Sequence, residues 1–321
     1  MKRKIVFIID ILILITIVFF IVFFNSSDIA KNQESRIKIV ATIFPNYDFA
    51  RQIGGDKVEV KLLLNSGVES HTYEPTPKDM IEIENCDIFV YTGSEFEPWA
   101  KNILSSMNSN FEIIDTSKNI SLINKEEFEH LYSKAEIIEE KHEEHHHDES
   151  SYDSHIWLSP KNSVIMIDDI LAILCKIDPD NTEYYTNNAE NYKKEILELD
   201  KKIENLVNNS LRKEIAFAGE FSYSYFIERY GLNFVSVYNN CGEGEDPSIG
   251  KVKSVIDYIN NNNLPVVFYE ELSEGTVAKM VGEETKAKSL ILYTIHNSDI
   301  EKDTYVSLMN KNYENLKEAL K

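Results

Sequence analysis

Histidine is the residue type whose placement in this chain most directly suggests chemistry. Six of the eight histidines fall between residues 130 and 155, and four of them lie in the tract 141–148, Lys-His-Glu-Glu-His-His-His-Asp. Imidazole and carboxylate groups are ligands that suit zinc and related borderline metals. A solvated charge run is the alternative for any acidic stretch, and the four histidines favour metal interaction instead. We therefore predict weak, fast metal binding by four side chains of the tract, His142, His145, His146 and His147.

Two further histidines lie in loops beside predicted regular structure. His71 belongs to residues 66–77, Ser-Gly-Val-Glu-Ser-His-Thr-Tyr-Glu-Pro-Thr-Pro, between a predicted strand and a predicted helix. Ligands bind at such loops in open α/β sheets. His155 belongs to residues 153–160, Asp-Ser-His-Ile-Trp-Leu-Ser-Pro, directly after the acidic tract. An isolated histidine is more often a structural side chain than a ligand, so these positions alone leave both roles open.

The elements that must position these histidines alternate between strand and helix. Such alternation is typical of parallel βαβ units, and it predicts an α/β fold with doubly wound sheets. The predicted strands are 37–42, 58–64, 88–92, 111–114, 215–218, 235–238, 265–270 and 290–293. The predicted helices are 47–53, 77–83, 97–105, 160–177, 182–208, 222–230, 248–260, 275–285 and 303–320.

Two stretches depart from this alternation. Residues 125–154 are rich in Glu, His, Asp and Ser, and we predict a flexible insertion there, with its His-rich part at 139–154. The predicted helix 182–208 has apolar residues at helical spacing and would be about 40 Å long, which suits a spacer between two lobes.

These features divide the chain into an ordered set of segments. We predict an N-terminal lobe with the His-rich insertion, a linking helix and a C-terminal lobe, preceded by a membrane segment and a polar linker. The segments are 1–24 (membrane anchor or signal), 25–36 (linker), 37–177 (N-terminal lobe), 178–209 (linking helix) and 210–321 (C-terminal lobe).

The N-terminal segment has the length and charge pattern of a transmembrane helix. Three cations precede residues 5–24, which are apolar except for Asp10 and Thr16 and could span a hydrocarbon core of about 30 Å. Cations on that side predict a cytoplasmic N-terminus, with the remainder anchored on the extracytoplasmic face of the membrane. A cleaved signal peptide is the alternative, and it would leave a secreted or periplasmic protein.

Composition and missing motifs exclude several classes of function. A formal net charge of −21 argues against a nucleic-acid partner, because binding a phosphate backbone needs a basic face. The chain lacks His-Glu-x-x-His and Gly-x-Ser-x-Gly, which argues against a secreted zinc hydrolase and favours a protein that is not an enzyme. Three scattered cysteines are too few for a disulfide framework, and the sequence selects no pair.

Two histidine segments, 67–77 and 155–160, resemble signatures of the metal-specific solute-binding proteins of bacterial ABC importers, the zinc and manganese class. The His-rich insertion, the long helix and a C-terminal Asn-Leu-Lys helix follow the same order, so the resemblance covers residues 37–321. It implies two lobes, each a four-stranded sheet with helices, bridged by a long helix, with the metal between them. It also implies delivery of the metal to an importer permease, and we expect a monomer.

The resemblance also implies a ligand set. His71 and His155 match the two first-lobe histidines of the family. The third ligand, a histidine or glutamate, precedes an aromatic helix ending in Tyr-Gly, which places Glu220 at that position. The fourth, usually an aspartate after a late strand, is missing here; His296 is the nearest candidate and Glu270 the fallback.

Three imidazoles beside one carboxylate would favour Zn²⁺, whereas a set richer in carboxylates would favour Mn²⁺. Zinc is therefore the expected ion and manganese the alternative. A surface adhesin that keeps the binding fold but has lost its transport role is a further alternative that the sequence leaves open.

Deletion of residues 141–148 should leave one zinc ion tightly bound, because the expected tight ligands lie outside that tract. Native mass spectrometry of the full-length protein, in its parent form and with the deletion, counts the retained ions. Loss of the tight ion on deletion would place the main site in the tract and contradict the ligand assignment.

Overall fold

The computed structural model describes residues 36–64, 73–107, 110–133, 152–238 and 247–321. The predicted N-terminal segment, His71 and the tract 141–148 therefore lie outside the described residues. Within the described ranges, eight strands form two four-stranded sheets in which every pairing is parallel. The expected α/β fold with two sheets is confirmed.

No helix in the described part of the chain is long and apolar enough to cross a membrane.

The first sheet has the strand order β2-β1-β3-β4. Its central strands read Ile-Lys-Ile-Val-Ala and Ile-Phe-Val-Tyr, near-continuous apolar runs of the kind that helices cover on both faces. The strands are β1 (Ile37–Ala41), β2 (Val58–Leu62), β3 (Ile88–Tyr91) and β4 (Glu112–Asp115). The helices of this half are α1 (Phe44–Gly54), α2 (Pro77–Glu84), α3 (Pro98–Ser106), α4 (Lys125–Tyr132) and α5 (Pro160–Ile177).

The second sheet has the order β6-β5-β7-β8, which repeats the topology of the first sheet. The two halves share this topology although no sequence repeat links them. The strands are β5 (Glu214–Phe217), β6 (Asn233–Ser236), β7 (Val266–Tyr269) and β8 (Lys288–Ile291). The remaining helices are α6 (Thr182–Asn209), α7 (Ser224–Tyr230), α8 (Ile249–Asn262), α9 (Thr276–Thr285) and α10 (Tyr305–Ala319).

Helix α6 is the long helix between the two sheets. Its 28 residues span about 42 Å at about 1.5 Å per residue. One stripe of the helix is buried, and it packs on α1, α5 and α10. The apolar stripe consists of Tyr185, Ala189, Tyr192, Ile196, Leu199, Ile203 and Val207. The predicted linking helix is therefore present, one residue longer at its C-terminus.

A buried carboxylate ties α1 to α6 and α10. Asp48 accepts hydrogen bonds from the Tyr192 hydroxyl at 2.5 Å and from the backbone N–H of Tyr305 at 2.9 Å. Arg51 donates to the other oxygen of the same carboxylate at 2.7 Å. A buried charge is tolerated when paired and hydrogen-bonded in this way, so Asp48 fixes the angle between three helices.

The predicted flexible insertion across 125–154 is wrong at both ends. Residues 125–132 form α4, and residues 152–154 are described, with Tyr152 forming a bridge to Asn124. The reason is Phe128, which is 3% exposed and stacks on Phe221 and Phe234 at centroid distances of 6.0 and 5.6 Å. One buried ring anchors a helix whose other residues are mostly polar.

Phe128→Ala should destabilise the protein by about 3 kcal/mol, because truncation of a buried phenylalanine loses apolar burial and leaves a cavity. Urea unfolding followed by tryptophan fluorescence measures the change, with the exposed Glu126→Ala as control in the same helix, expected within about 0.5 kcal/mol of the parent. A loss below about 1 kcal/mol in Phe128→Ala would show that α4 is not anchored by this ring.

Candidate metal centre

Two imidazoles from distant parts of the chain meet in the interior. The ring centroids of His155 and His296 are 6.4 Å apart, and the ring planes are inclined by 54°. Both residues are buried, with 4% and 3% of their surface exposed. His155 precedes α5 in the first half of the chain, and His296 follows β8 in the second half. The fold therefore brings together one predicted ligand from each lobe.

The spacing of the two rings is close to that of two imidazoles on one ion. A zinc ion lies about 2.1 Å from a ligating imidazole nitrogen and so about 3.2 Å from the ring centroid. Two rings on a tetrahedral ion then have centroids about 5.2 Å apart. The observed 6.4 Å exceeds this distance by about 1 Å. A small approach of the two segments would thus let both rings bind the same ion.

His155 is oriented by a neighbouring carboxylate. Asp153 Oδ1 lies 2.8 Å from His155 Nδ1 and also accepts the backbone N–H of His155 at 2.8 Å. Burial opposes ionisation of Asp153, but the electrostatic contact and hydrogen bonds with His155 outweigh it, so the pKa of Asp153 is lowered. An ionised carboxylate accepts a proton-bearing Nδ1, which makes Nε2 the nitrogen that suits a metal. Sequence reasoning missed this role, although the spacing Asp-x-His signals it.

Aromatic rings pack around His155 and connect it to the second lobe. Phe96 lies edge-on to His155 and Trp157, with centroid distances of 5.6 and 5.1 Å. The indole N–H of Trp157 donates to the carbonyl of Thr294 at 2.7 Å, and the hydroxyl of Tyr305 donates to the carbonyl of Trp157 at 2.8 Å. Trp157 therefore joins the segment that carries His155 to the turn that carries His296.

The loop that presents Phe96 is held by a buried acid. Glu97 accepts the backbone N–H of Thr92 at 2.5 Å, just after β3. Burial raises the pKa of Glu97 to about 8, so this carboxyl group is protonated at neutral pH. As a neutral hydrogen-bonding group, it therefore holds the loop after β3 at the carboxyl edge of the first sheet.

The two sheets direct their carboxyl edges towards the histidine pair. Phe96 follows β3 and contacts His155, and the backbone N–H of Phe44, after β1, donates to the carbonyl of His296 at 3.2 Å. His296 itself follows β8. Loops at the carboxyl ends of parallel strands are the usual ligand sites of open α/β folds. The pair therefore lies where the fold favours ligand binding.

Two carboxylates, Glu220 and Glu270, follow the neighbouring strands β5 and β7. Burial raises the pKa of Glu270, and the charge of Glu220 adds to this shift, which places the two groups near one another. Glu270 packs against Gly219, where a Cβ atom would stand 1.9 Å from its Oε2, so a larger residue there would displace the Glu270 side chain. Both lie at the carboxyl edge of the second sheet.

Of the predicted ligands, the structure brings together His155 and His296. Across the described residues, no three His, Cys, Asp or Glu side chains converge closely enough to hold one ion. His71 lies between Leu64, after β2, and Tyr73, before α2, outside the described residues. Of the two candidates for the fourth ligand, His296 stands beside His155.

Comparison with known proteins identifies relatives along nearly the whole chain. The family model described as zinc-uptake complex component A, periplasmic (ZnuA), matches residues 39–319. The high-affinity zinc uptake system protein ZnuA of Bacillus subtilis is 32% identical over 296 residues, covering 91% of this chain and 90% of that protein. The zinc-binding protein AdcA of Streptococcus pyogenes is 28% identical, and the match covers 88% of this chain and 56% of AdcA.

Solved structures agree with the two-lobe fold. The metal-dependent lipoprotein YcdH from Bacillus subtilis superposes with a TM-score of 0.72 at 29% identity, covering 89% of this chain and 99% of that chain. The Zn(II)-bound ZnuA-like domain of Streptococcus pneumoniae AdcA gives a TM-score of 0.73 over 89% of this chain and 99% of that chain. Its identity of 24% supports the fold alone.

Asp153→Asn should weaken zinc binding by about tenfold to a hundredfold, because the amide no longer offers His155 a charged acceptor. Isothermal titration of the full-length protein with zinc in the presence of a competing chelator measures the affinity. The matched control is Asp168→Asn, an exposed aspartate of α5 that loses the same charge away from the histidine pair. Equal affinity of Asp153→Asn and the control would refute a positioning role for Asp153.

Proposed function

Because the chain belongs to the ZnuA family of zinc-uptake components, we propose that it captures zinc outside the cytoplasm and delivers it to an ABC importer. The observation that carries this proposal is the pair of buried imidazoles, one from each half of the chain, 6.4 Å apart. The zinc-binding activity named for the relatives in Bacillus and Streptococcus supports the same cargo.

The proposed tight ligands are His71, His155, Glu220 and His296. Three neutral imidazoles and one carboxylate give a donor set that suits zinc better than manganese. Because protein groups fill the coordination sphere, the ion keeps no position for a reacting water, which distinguishes this site from a catalytic zinc. We therefore infer a binding protein rather than an enzyme, in agreement with the transport role of the family.

Binding at such a site uses both lobes. We propose that the lobes comprise 37–177 and 210–321, with 178–209 as the linking helix. An ion that bonds to His155 and to His296 links the two lobes directly, and its coordination free energy favours the approach of about 1 Å that the ring spacing requires. Zinc is thus the link that closes the cleft, and release requires the lobes to separate.

The His-rich tract would supply zinc to the tight site. We propose that His142, His145, His146 and His147 bind zinc weakly and raise its local concentration, because the tract offers imidazole and carboxylate groups that suit zinc. The tract is connected to the described chain at Tyr152, close in sequence to His155. Ions released from the tract are therefore set free near the site.

The segment 1–24 would keep the protein at the membrane. A relative in Streptococcus pneumoniae, 28% identical, is named a zinc-binding lipoprotein. In the present chain the first cysteine is Cys86, so no cysteine near residue 25 can carry a lipid. We propose that the apolar segment itself anchors a monomer beside the importer permease, on the extracytoplasmic face.

His71→Ala, His155→Ala and His296→Ala should each lower zinc affinity by at least about tenfold, because each removes a direct ligand. Chelator-competed zinc titration of the full-length protein measures this, with the exposed His130→Ala on α4 as the matched control. Native mass spectrometry with both metals present then compares zinc with manganese. Unchanged affinity in His155→Ala would overturn the site, and preferential retention of manganese would overturn the proposed cargo.

A further inference from the structure

A half-buried carboxylate beside the turn that carries His296 is not part of the proposed ligand set. Glu271, two residues after the end of β7, accepts the backbone N–H of Thr294 at 2.8 Å, the backbone N–H of Ile295 at 3.1 Å and the hydroxyl of Thr294 at 3.0 Å. All three donors belong to the turn that follows β8. One side chain of the β7 loop thus holds the turn that carries His296.

The conformation of this turn requires such support. Ile295 has φ of 64°, in the left-handed region that a β-branched side chain rarely adopts. Strained residues of this kind persist only where surrounding contacts fix them, and they cluster at functional sites. Besides Glu271, the indole of Trp157 fixes the carbonyl of Thr294, and the N–H of Phe44 fixes the carbonyl of His296.

Thr294 connects the carboxylate to the imidazole. Its Oγ1 lies 2.8 Å from His296 Nδ1 as well as 3.0 Å from Glu271 Oε1. A hydroxyl has a single hydrogen, so donation to Glu271 leaves its oxygen to accept a hydrogen bond from Nδ1–H. A neutral imidazole with its proton on Nδ1 has its lone pair on Nε2, the nitrogen that can then bind a metal.

We propose that Glu271 and Thr294 are positioning residues that set the tautomer and direction of His296, so that Nε2 is the ligating nitrogen. They perform through a hydroxyl what Asp153 performs directly for His155. This inference rests on the proposed function for the identity of the ion. The tautomer of His296, however, is a property of the metal-free protein and can be measured without any ion.

Glu271→Gln separates this role from simple support of the turn. The glutamine amide can donate to Thr294 Oγ1, which turns the hydroxyl hydrogen towards Nδ1 and moves the imidazole proton to Nε2. Thr294→Val keeps the shape of the side chain but removes the hydroxyl, whereas Thr294→Ser keeps the hydroxyl. Glu283→Gln, an exposed glutamate of α9, loses the same charge as Glu271→Gln and is the matched control.

The first measurement is nitrogen NMR of the metal-free, full-length protein with labelled histidine, under alkaline conditions that keep imidazoles neutral. Loss of a signal in His296→Gln assigns that residue. The parent, Thr294→Ser and Glu283→Gln should hold the His296 proton on Nδ1, and Glu271→Gln and Thr294→Val should shift it towards Nε2. A parent protein protonated on Nε2 of His296, or an unchanged tautomer in Thr294→Val, would overturn the relay, that is, the proposed hydrogen-bond chain from Glu271 through Thr294 to His296.

The second measurement is chelator-competed zinc titration of the same proteins. Affinity should fall by about tenfold to a hundredfold in Glu271→Gln and Thr294→Val and return in Thr294→Ser. Equal loss in Thr294→Val and Thr294→Ser would assign Thr294 to packing and contradict the relay. A parent that takes up no zinc would instead refute the proposed function, and the tautomer measurement would still decide the relay. If Glu271→Gln fails to fold, the two threonine variants decide it.

Discussion

The structure depends on holding two imidazoles at a buried point where the two sheets approach each other. Water is nearly excluded from His155 and His296, so each ring needs an internal partner for its polar atoms. Asp153 and Thr294 are partners at the Nδ1 atoms. Satisfying one nitrogen of each ring fixes the direction of the other, so the site is oriented before an ion arrives and loses less entropy on binding.

The remainder of the fold keeps this point in place. The carboxylate of Asp48 joins three helices, and the long helix α6 runs along both halves. Trp157 adds a contact close to the site, since its indole reaches across to the carbonyl of Thr294. Phe128 of the first half packs on Phe221 and Phe234 of the second half, so the two halves also share buried apolar contacts. Hydrogen bonds and buried rings together therefore hold the two halves against each other.

Local sequence patterns predicted the helix ends and the buried helix face described below, because residues close in sequence determine these features. The bounds 160–177 agree with α5, because Pro160 begins that helix and Asp178-Pro179 ends it. The helix predicted at 77–83 begins at Pro77, as α2 does, and Thr76 before it forms a reciprocal capping box with Asp79. Apolar spacing likewise defined α6.

The sequence did not predict the features that depend on contacts between distant residues. The strand predicted at 290–293 lies at 288–291, because its end is set by pairing of Tyr269 with Ile291 of the neighbouring strand. The 6.4 Å between His155 and His296 depends on the order of strands in two sheets. Phe128 looked like one apolar residue in an acidic run, and only its distant partners reveal the helix that it anchors.

The two histidines are supported by different chemistry, which would make them unequal as the proposed ligands. Asp153 places a charge directly on the ring of His155, and a charged acceptor strengthens a hydrogen bond and increases the basicity of the imidazole. His296 contacts the neutral hydroxyl of Thr294, and the carboxylate of Glu271 is one hydrogen bond further away. The turn that carries His296 also contains a strained residue, Ile295. For a bound ion, the first lobe would therefore offer the stronger and more rigid donor. The donor from the second lobe would have a geometry that depends on several hydrogen bonds being made together.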